Sequence, residues 1–325
     1  MKHISILVPF GHTSLPNIDG SQQILSEANS FARRMGREPL FTIQLVGLEK
    51  AIPQRNGLFT IQPDKVIGDI RKTDLIIIPA VHGDLLEGME QNKAFIPWIL
   101  QQRAAGAEIA SLCIGAFFLA ATGLLDGRQC ATHWVMAAQF RQMYPQVNLV
   151  DDKIMTDDDG IYTSGGAYSF LNLLVYLIEK YGGRELAIAV SKAFMIDIDR
   201  NSQSPFIMFN GQKEHEDEEI RKAQEYIEQH YEDKISVDQL ALMFSVGRRS
   251  FERRFKKATS NTVGEYLQRV KVEAAKKQLE MARKNVSEVM YEVGYNDTKA
   301  FRDVFRKITG LSPVEYRNKY NRVAS

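Results

Sequence analysis

The last third of this chain carries one pattern twice. Phe251, Phe255, Lys257, Thr259, Glu265 and Tyr266 recur 50 residues later as Phe301, Phe305, Lys307, Thr309, Glu315 and Tyr316. Upstream, Leu240, Phe244 and Val246 recur as Val289, Val293 and Tyr295 at an offset of 49, so the second copy holds one extra residue in its turn. Self-similarity at a fixed period marks successive copies of one supersecondary unit. In each copy the two phenylalanines stand four apart, on one face of a helix. Two related helical modules must therefore follow one another.

Each module reads as a short helix, a tight turn and a basic helix. In the first, Ser236 and Gln239 have capping-box spacing and Ser245-Val246-Gly247 closes the helix. The next helix opens with Arg248 and carries Arg249, Arg253 and Lys256 on a stripe apart from Phe251 and Phe255. In the second, Asn285 and Glu288 take the cap positions, Gly294-Tyr295-Asn296-Asp297 forms the turn, and Lys299, Arg302 and Arg306 surround Phe301 and Phe305. This is the layout of a helix-turn-helix, whose second helix enters the major groove of double-stranded DNA. Arginine suits that helix because its planar fork grips guanine O6 and N7, or a phosphate. Between the modules, Tyr266 to Glu280 reads as one long helix, a spacer able to hold two recognition helices roughly 34 Å, one DNA turn, apart.

Charge agrees with this division. The chain as a whole has a net charge of +1, but residues 1–219 carry 19 Lys and Arg against 26 Asp and Glu, whereas residues 220–325 carry 22 against 14. The basic part is where nucleic acid is expected. Residues 218–320 resemble the AraC/XylS family of transcription regulators: Gly294-Tyr295 precedes Phe301 and Phe305, and Gly310-Leu311-Ser312-Pro313-Val314-Glu315-Tyr316-Arg317 follows. The family places an arginine two residues after the first phenylalanine of the recognition helix. Arg253 keeps it, whereas Asp303 replaces it in the second module. A carboxylate repels phosphate and can only accept from a base such as cytosine N4.

Ahead of these modules the pattern is α/β. Strands are expected at His3–Pro9, Leu40–Gly47, Asp74–Pro79 and Ala107–Leu112, and helices at Ser21–Met35, Gln91–Ala105, Gly115–Thr122, Thr132–Tyr144, Tyr168–Tyr181 and Glu185–Phe194. Runs as apolar as Leu75-Ile76-Ile77-Ile78 suit a parallel sheet covered on both faces. The fold class is therefore a flavodoxin-like layered α/β domain over residues 1–196, a linker over 197–218, and an all-α domain of two helix-turn-helix modules over 219–325. Acids crowd at Glu214, Glu216, Asp217, Glu218 and Glu219, where they favour the dipole of the helix that follows. No apolar run reaches the roughly 18 residues that span a bilayer. Two cysteines, Cys113 and Cys130, make neither a disulfide framework nor a metal-ligand spacing, so the expected compartment is the cytoplasm, with no metal or cofactor.

Cys113 sits between the apolar run Ala110-Ser111-Leu112 and Ile114-Gly115-Ala116, where a helix begins, which is the context of a nucleophile elbow. Helix N–H groups near such a thiol are expected to lower its pKa. Cys113 to Phe117, Gly123 to Arg128, Ala131-Thr132-His133-Trp134, Thr163 to Gly166 and Arg200 to Phe206 resemble the ThiJ/PfpI superfamily, in particular its GlxA-type regulators, which join this domain to an AraC/XylS module. An enzyme of that superfamily is expected to use the elbow cysteine with an acid from the first strand-to-helix loop and N–H donors from a glycine pair. Here Asn17 stands in place of the acid, Ala80-Val81 replaces the glycines, and Asp19 is the nearest substitute acid. An amide cannot shuttle a proton.

These features describe a sequence-specific regulator rather than an enzyme. The resemblance implies an α/β domain that senses a small-molecule effector in a pocket formed by Cys113, Ile114, His133, Asn17 and His82. Its other partners are a DNA operator, RNA polymerase and a second copy of the chain. Two alternatives stand beside this reading: a hydratase- or amidase-like enzyme that also carries a DNA module, and a thiol-redox sensor acting through Cys113.

Overall fold

The computed structural model describes residues 1–213, 215–281 and 284–321. Glu214 of the acidic cluster lies outside them. The chain divides into two compact units, Met1–Gln203 and Ser204–Ser325.

In the first unit the apolar strands have the alternation that a doubly covered sheet demands. Ile4, Ile6 and Val8 enter one core with Leu75, Ile77, Ala110 and Leu112, while Leu7, Ile76, Ile78 and Ile109 enter the other. The strands are β1 (Lys2–Val8), β2 (Phe41–Gly47), β3 (Lys65–Val66), β4 (Leu75–Ile78), β5 (Glu108–Ser111), β6 (Met155–Asp158) and β7 (Ile161–Ser164), in the sheet order 6-7-5-4-1-2-3. All neighbours pair in parallel except β6, which turns back against β7. Helices α1 (Leu15–Arg34), α6 (Phe170–Gly182) and α7 (Arg184–Ala193) bury Leu25, Leu173 and Leu186 in the first core. The second core takes Phe95 and Trp98 from α3 (Phe95–Ala104), Phe117 from α4 (Gly115–Ala120) and Phe140 from α5 (Ala137–Met143).

Several elements differ from expectation. The helix expected at Gln91–Ala105 is two helices, α2 (Leu85–Asn92) and α3, because the buried Asn92 side chain closes the first by bonding Gly88 O and the backbone of Phe10. Residues expected to begin a helix at Thr132 instead form a short 3-10 turn at Trp134–Met136 before α5. The β6–β7 hairpin was not anticipated. Its two-residue loop, Asp159-Gly160, has both residues at positive φ, 52° and 73°, which is the turn that Asp-Gly favours.

The second unit holds α8 (Glu218–Gln229), α9 (Val237–Met243), α10 (Arg248–Thr259), α11 (Val263–Met281), α12 (Val286–Glu292), α13 (Thr298–Thr309) and α14 (Pro313–Tyr320). Helix α11 serves both modules: Val263, Tyr266 and Val270 join the core of Phe251 and Phe255, and Val272, Ala275 and Leu279 join that of Phe301 and Phe305. The repeat extends to single bonds. Thr259 Oγ1 donates to Phe255 O at 2.8 Å and bonds Asn261 O at 3.1 Å; Thr309 Oγ1 bonds Phe305 O at 2.9 Å and Leu311 O at 3.0 Å. Both expected capping boxes form, at Ser236 and at Asn285. Among the described residues no helix is long and apolar enough to cross a membrane.

The expected linker is shared between the two units. Gln203 belongs to the first, where its Nε2 bonds Thr132 O and Lys153 O, and its Oε1 accepts from Gly166 N. Residues 205–213 lie as a strap along the helices of the second unit: Lys276 Nζ bonds Ile207 O at 2.6 Å, Glu273 accepts from Phe209 N at 3.1 Å, and Lys213 pairs with Glu228 at 2.7 Å. The Phe209 ring meets Tyr266 edge-on at 5.1 Å.

The helix-turn-helix turns need a left-handed residue, supplied by Ser245 (φ 54°) in one module and Gly294 (φ 77°) in the other. A Cβ on Gly294 would also sit against the carbonyl oxygen of Glu232. Gly294→Ala is therefore expected to destabilise the helical unit by about 2 kcal/mol or more, whereas Ser245→Gly costs nothing. Urea unfolding followed by circular dichroism checks this, and equal behaviour of the two variants would contradict it.

Candidate effector site and nucleic-acid interface

Strand β5 ends in a true elbow. Cys113 has φ 57°, a left-handed conformation rare for a residue with a side chain. Its N–H donates to Ser164 Oγ at 3.3 Å, and its carbonyl accepts from Thr132 Oγ1 at 3.1 Å. Glycine is required two residues on, because a Cβ on Gly115 would come within 2.7 Å of Ile78 O.

The thiol does not have the character expected of it. Cys113 is only 2% exposed, and burial pushes its pKa up from 9.0 to about 11, although a backbone bond at Ile114 opposes the shift. Helix α4 is less than two turns long and does not reverse this desolvation. Cys130 is driven up as well, to about 12, again by burial. The expected activation of Cys113 is thus corrected to the opposite direction.

Asn17 lies not on a loop but in the first turn of α1, which starts at Leu15. Its buried Oδ1 accepts from Ala80 N at 3.1 Å, and Ser14 N donates to Ala80 O at 2.8 Å. The Ala80 N–H, at the position where the resemblance leads one to expect an oxyanion donor, is therefore bonded to Asn17, at the position where it leads one to expect the acid. Asp19 is exposed and accepts from Gln23 Nε2 at 2.8 Å, one turn along its own helix.

The five expected pocket residues are spread over the elbow (Cys113, Ile114), the first turn of α1 (Asn17), the 3-10 turn (His133) and the short ribbon after β4 (His82). The cleft beside the elbow is about 20 Å³, room for about one water, and takes Ile114 among Pro79, Val81, Leu85, Met89 and Phe118. His133 caps the 3-10 turn, its Nδ1 accepting from Val135 N at 3.2 Å. Burial, then the charge of His82, holds its ring below the ordinary 6.5. His82 is exposed, on a short ribbon where it pairs with His12. Sequence reasoning did not single out His12, Gln54 or Arg55, because their place depends on loops that meet only in the fold.

In the helical unit the basic residues separate by role. Arg249, Arg253 and Lys256 on α10, and Lys299, Arg302 and Arg306 on α13, are all exposed, as is Asp303. Arg248 is exposed but bonds both carboxylate oxygens of Asp238, at 3.0 and 2.9 Å, so it is partly committed inside the module. Arg254, which the charge pattern did not distinguish, is half-buried and grips Asp217 through Nε (2.8 Å) and Nη2 (2.6 Å), and Glu219 at 2.5 Å. Hydrogen bonds from Arg254 hold the Asp217 carboxyl below its usual range. Asp217 also caps α8 through Ile220 N, so Asp217 and Glu219 of the acidic cluster have structural roles.

Comparison with known proteins agrees with both halves. Residues 25–180 match the DJ-1/PfpI family and residues 240–319 a helix-turn-helix domain. The chain joins a DJ-1/PfpI domain to an AraC-type helix-turn-helix domain. It is 27% identical over 230 residues to the HTH-type transcriptional regulator GbdR of Pseudomonas aeruginosa, covering 70% of this chain and 62% of GbdR. With the HTH-type transcriptional regulator GlxA of Rhizobium meliloti it shares 23% identity over 66% of each chain. The crystal structure of an AraC family transcriptional regulator from Pseudomonas putida superposes with a TM-score of 0.51 at 18% identity, over 60% of this chain and all of that one, a likeness of fold.

Within the DJ-1/PfpI domain, the raised pKa of Cys113 lowers its thiolate fraction near neutral pH about a hundredfold. Iodoacetamide should therefore modify Cys113 and Cys130 at least about a hundredfold more slowly in the folded chain than in urea, read by mass spectrometry. Rapid labelling of folded Cys113 would restore the activated thiol.

Proposed function

We propose that this protein is a sequence-specific DNA-binding transcription regulator without enzymatic turnover. The observation that carries the reading is the pair of exposed basic stripes, Arg249, Arg253 and Lys256 on α10 and Lys299, Arg302 and Arg306 on α13, borne by two modules built on one shared helix. A 19-residue helix is about 28 Å long, which suits two recognition helices set roughly one DNA turn apart. The DJ-1/PfpI domain is the sensing part, and a small metabolite is its effector. We infer that it binds near the carboxyl-end rim of the parallel strands, in the neighbourhood of Cys113, Ile114, His133, Asn17 and His82. A second copy of the chain would present two pairs of modules to repeated half-sites, and RNA polymerase is the machinery on which such a regulator acts. Against turnover stand a thiol with a raised pKa, an amide in place of the acid, and an occupied Ala80 N–H.

The test uses the full chain on DNA selected from a random-sequence pool. Arg249→Ala and Arg253→Ala should each weaken binding by about 1–3 kcal/mol. Arg248→Ala should cost less, since Asp238 competes for it. Asp303→Ala should leave binding equal or tighter. Fluorescence anisotropy across a salt series measures all four, and affinity should fall steeply with salt. No selectable DNA, or equal affinity of the parent and both arginine variants, would refute the assignment.

A further inference from the structure

Three buried polar side chains of the helical unit spend hydrogen bonds on the strap. Lys276, 4% exposed, bonds Ile207 O at 2.6 Å and Glu273 at 2.7 Å. Gln224, fully buried, donates from Nε2 to Gln212 O at 3.1 Å, and Asn261, also buried, donates from Nδ2 to Gln212 Oε1 at 3.0 Å. Taking the acceptor away from a buried donor is costly, so the strap is a required part of the unit and not a tether that passes over it.

The two ends of the strap lie on different modules. At its start Pro205 O accepts from Tyr320 OH at 3.3 Å, and Lys319 Nζ stands 4.8 Å from the centre of the Phe206 ring; both partners are on α14, and Tyr320 packs on the core of Phe301 and Phe305. At its end Gln212 is held by Asn261, between α10 and α11, and by Gln224 of α8, while Phe209 packs on the core of Phe251 and Phe255. The strap therefore runs antiparallel to α11. It meets Lys276 at Ile207, Glu273 at Phe209 and the start of the helix at Gln212.

The strap has little slack. From Lys276 back to Val263 the axis of α11 covers about 20 Å. The five steps from Ile207 to Gln212 reach at most about 18 Å when fully extended, and side chains span the rest. Between Val270 and Val272 the same helix passes from one core to the other. Bodies with separate cores move relative to one another unless a large interface holds them, and a taut segment fastened to both resists that motion.

We propose that the strap is a brace that fixes the angle between the two helix-turn-helix modules, with Lys276 as its central positioning residue, and so sets the spacing of the two DNA elements that the modules read together. This rests on the DNA-binding role proposed above. Without the brace each module keeps its own core and its own basic stripe, so each can still meet DNA. The pair then no longer holds its recognition helices in one register. Each added base pair turns the groove by about 35°, so a braced pair rejects a mis-spaced site that a slack pair accepts.

The test uses the full chain with spin labels at Lys257→Cys and Lys307→Cys, exposed and equivalent positions of α10 and α13, while the buried Cys113 and Cys130 stay unlabelled. Double electron–electron resonance should give a narrow distance distribution in this parent. A Gly-Gly insertion after the exposed Met208 slackens the strap and should widen the distribution about twofold or more, and Lys276→Met, which removes the bond to Ile207 O, should do the same. The same insertion after Gln203 leaves every strap contact in place and should not. Circular dichroism checks that each variant is folded, and if the strap insertion is not, Lys276→Met decides. A folded strap insertion of unchanged width, or equal widening by the insertion after Gln203, would overturn the brace; unchanged width in Lys276→Met alone would overturn the role of that lysine. On DNA selected from a random-sequence pool, one base pair added between the two elements should weaken the unlabelled chain about tenfold or more and the strap insertion less than about threefold. Widened distances with the parent's full spacing penalty would overturn the link to DNA. Absence of DNA binding in the parent would remove the regulator reading and leave the brace standing on the distances.

Discussion

Parallel pairing is the constraint on which the α/β domain depends. Strands buried on both faces have no polar side to offer, so helices cover the sheet on both sides, and all the strands except β6 deliver their carboxyl ends to one rim. That rim gathers the elbow at Cys113, the loop at Pro79 to His82 and the loop at Pro9 to Thr13. Asn17 then ties the first helix to Ala80, and Gln54 and Asn92 pin the loop after β1. The result is a rim of fixed shape whose nucleophile geometry persists without the electrostatics that would make a nucleophile.

The same economy of parts marks the helical unit. One helix, α11, gives one stretch of its apolar residues to each module, so neither core is complete without it. The phenol groups repeat as well: Tyr266 OH bonds Glu228 at 2.6 Å and Tyr316 OH bonds Glu280 at 2.5 Å. Each is a buried hydroxyl that would be costly to leave without a partner. Arg254 differs from its exposed neighbours because it faces α8, where Asp217 and Glu219 hold it.

Much of this was legible in the sequence, and the reasons are local. Capping boxes at Ser236 and Asn285, the phenylalanine pairs and the uniformly apolar strands are written in spacings of two to four residues, so they survive reading one segment at a time. The β6–β7 hairpin was equally local, but Asp157-Asp158-Asp159 conceals its Asp-Gly turn among acids. The state of Cys113 was not legible. Elbow context and burial push its thiol in opposite directions, and only the packed core decides between them. Nor could the sequence place His12 beside His82, since the two stand 70 positions apart with five strands between them.

The strap at residues 205–213 changes what counts as the portable piece of this chain. A fragment begun at residue 219, where the charge balance turns, would remove Phe209 from the Tyr266 ring, the Ile207 carbonyl from the buried Lys276 and the Lys213 ammonium from Glu228. It would also lose Asp217, and with it the cap of α8 and one partner of Arg254. The covalent joint between the two units is therefore the single peptide bond from Gln203 to Ser204, and a helical domain exchanged between proteins would have to travel with its strap attached.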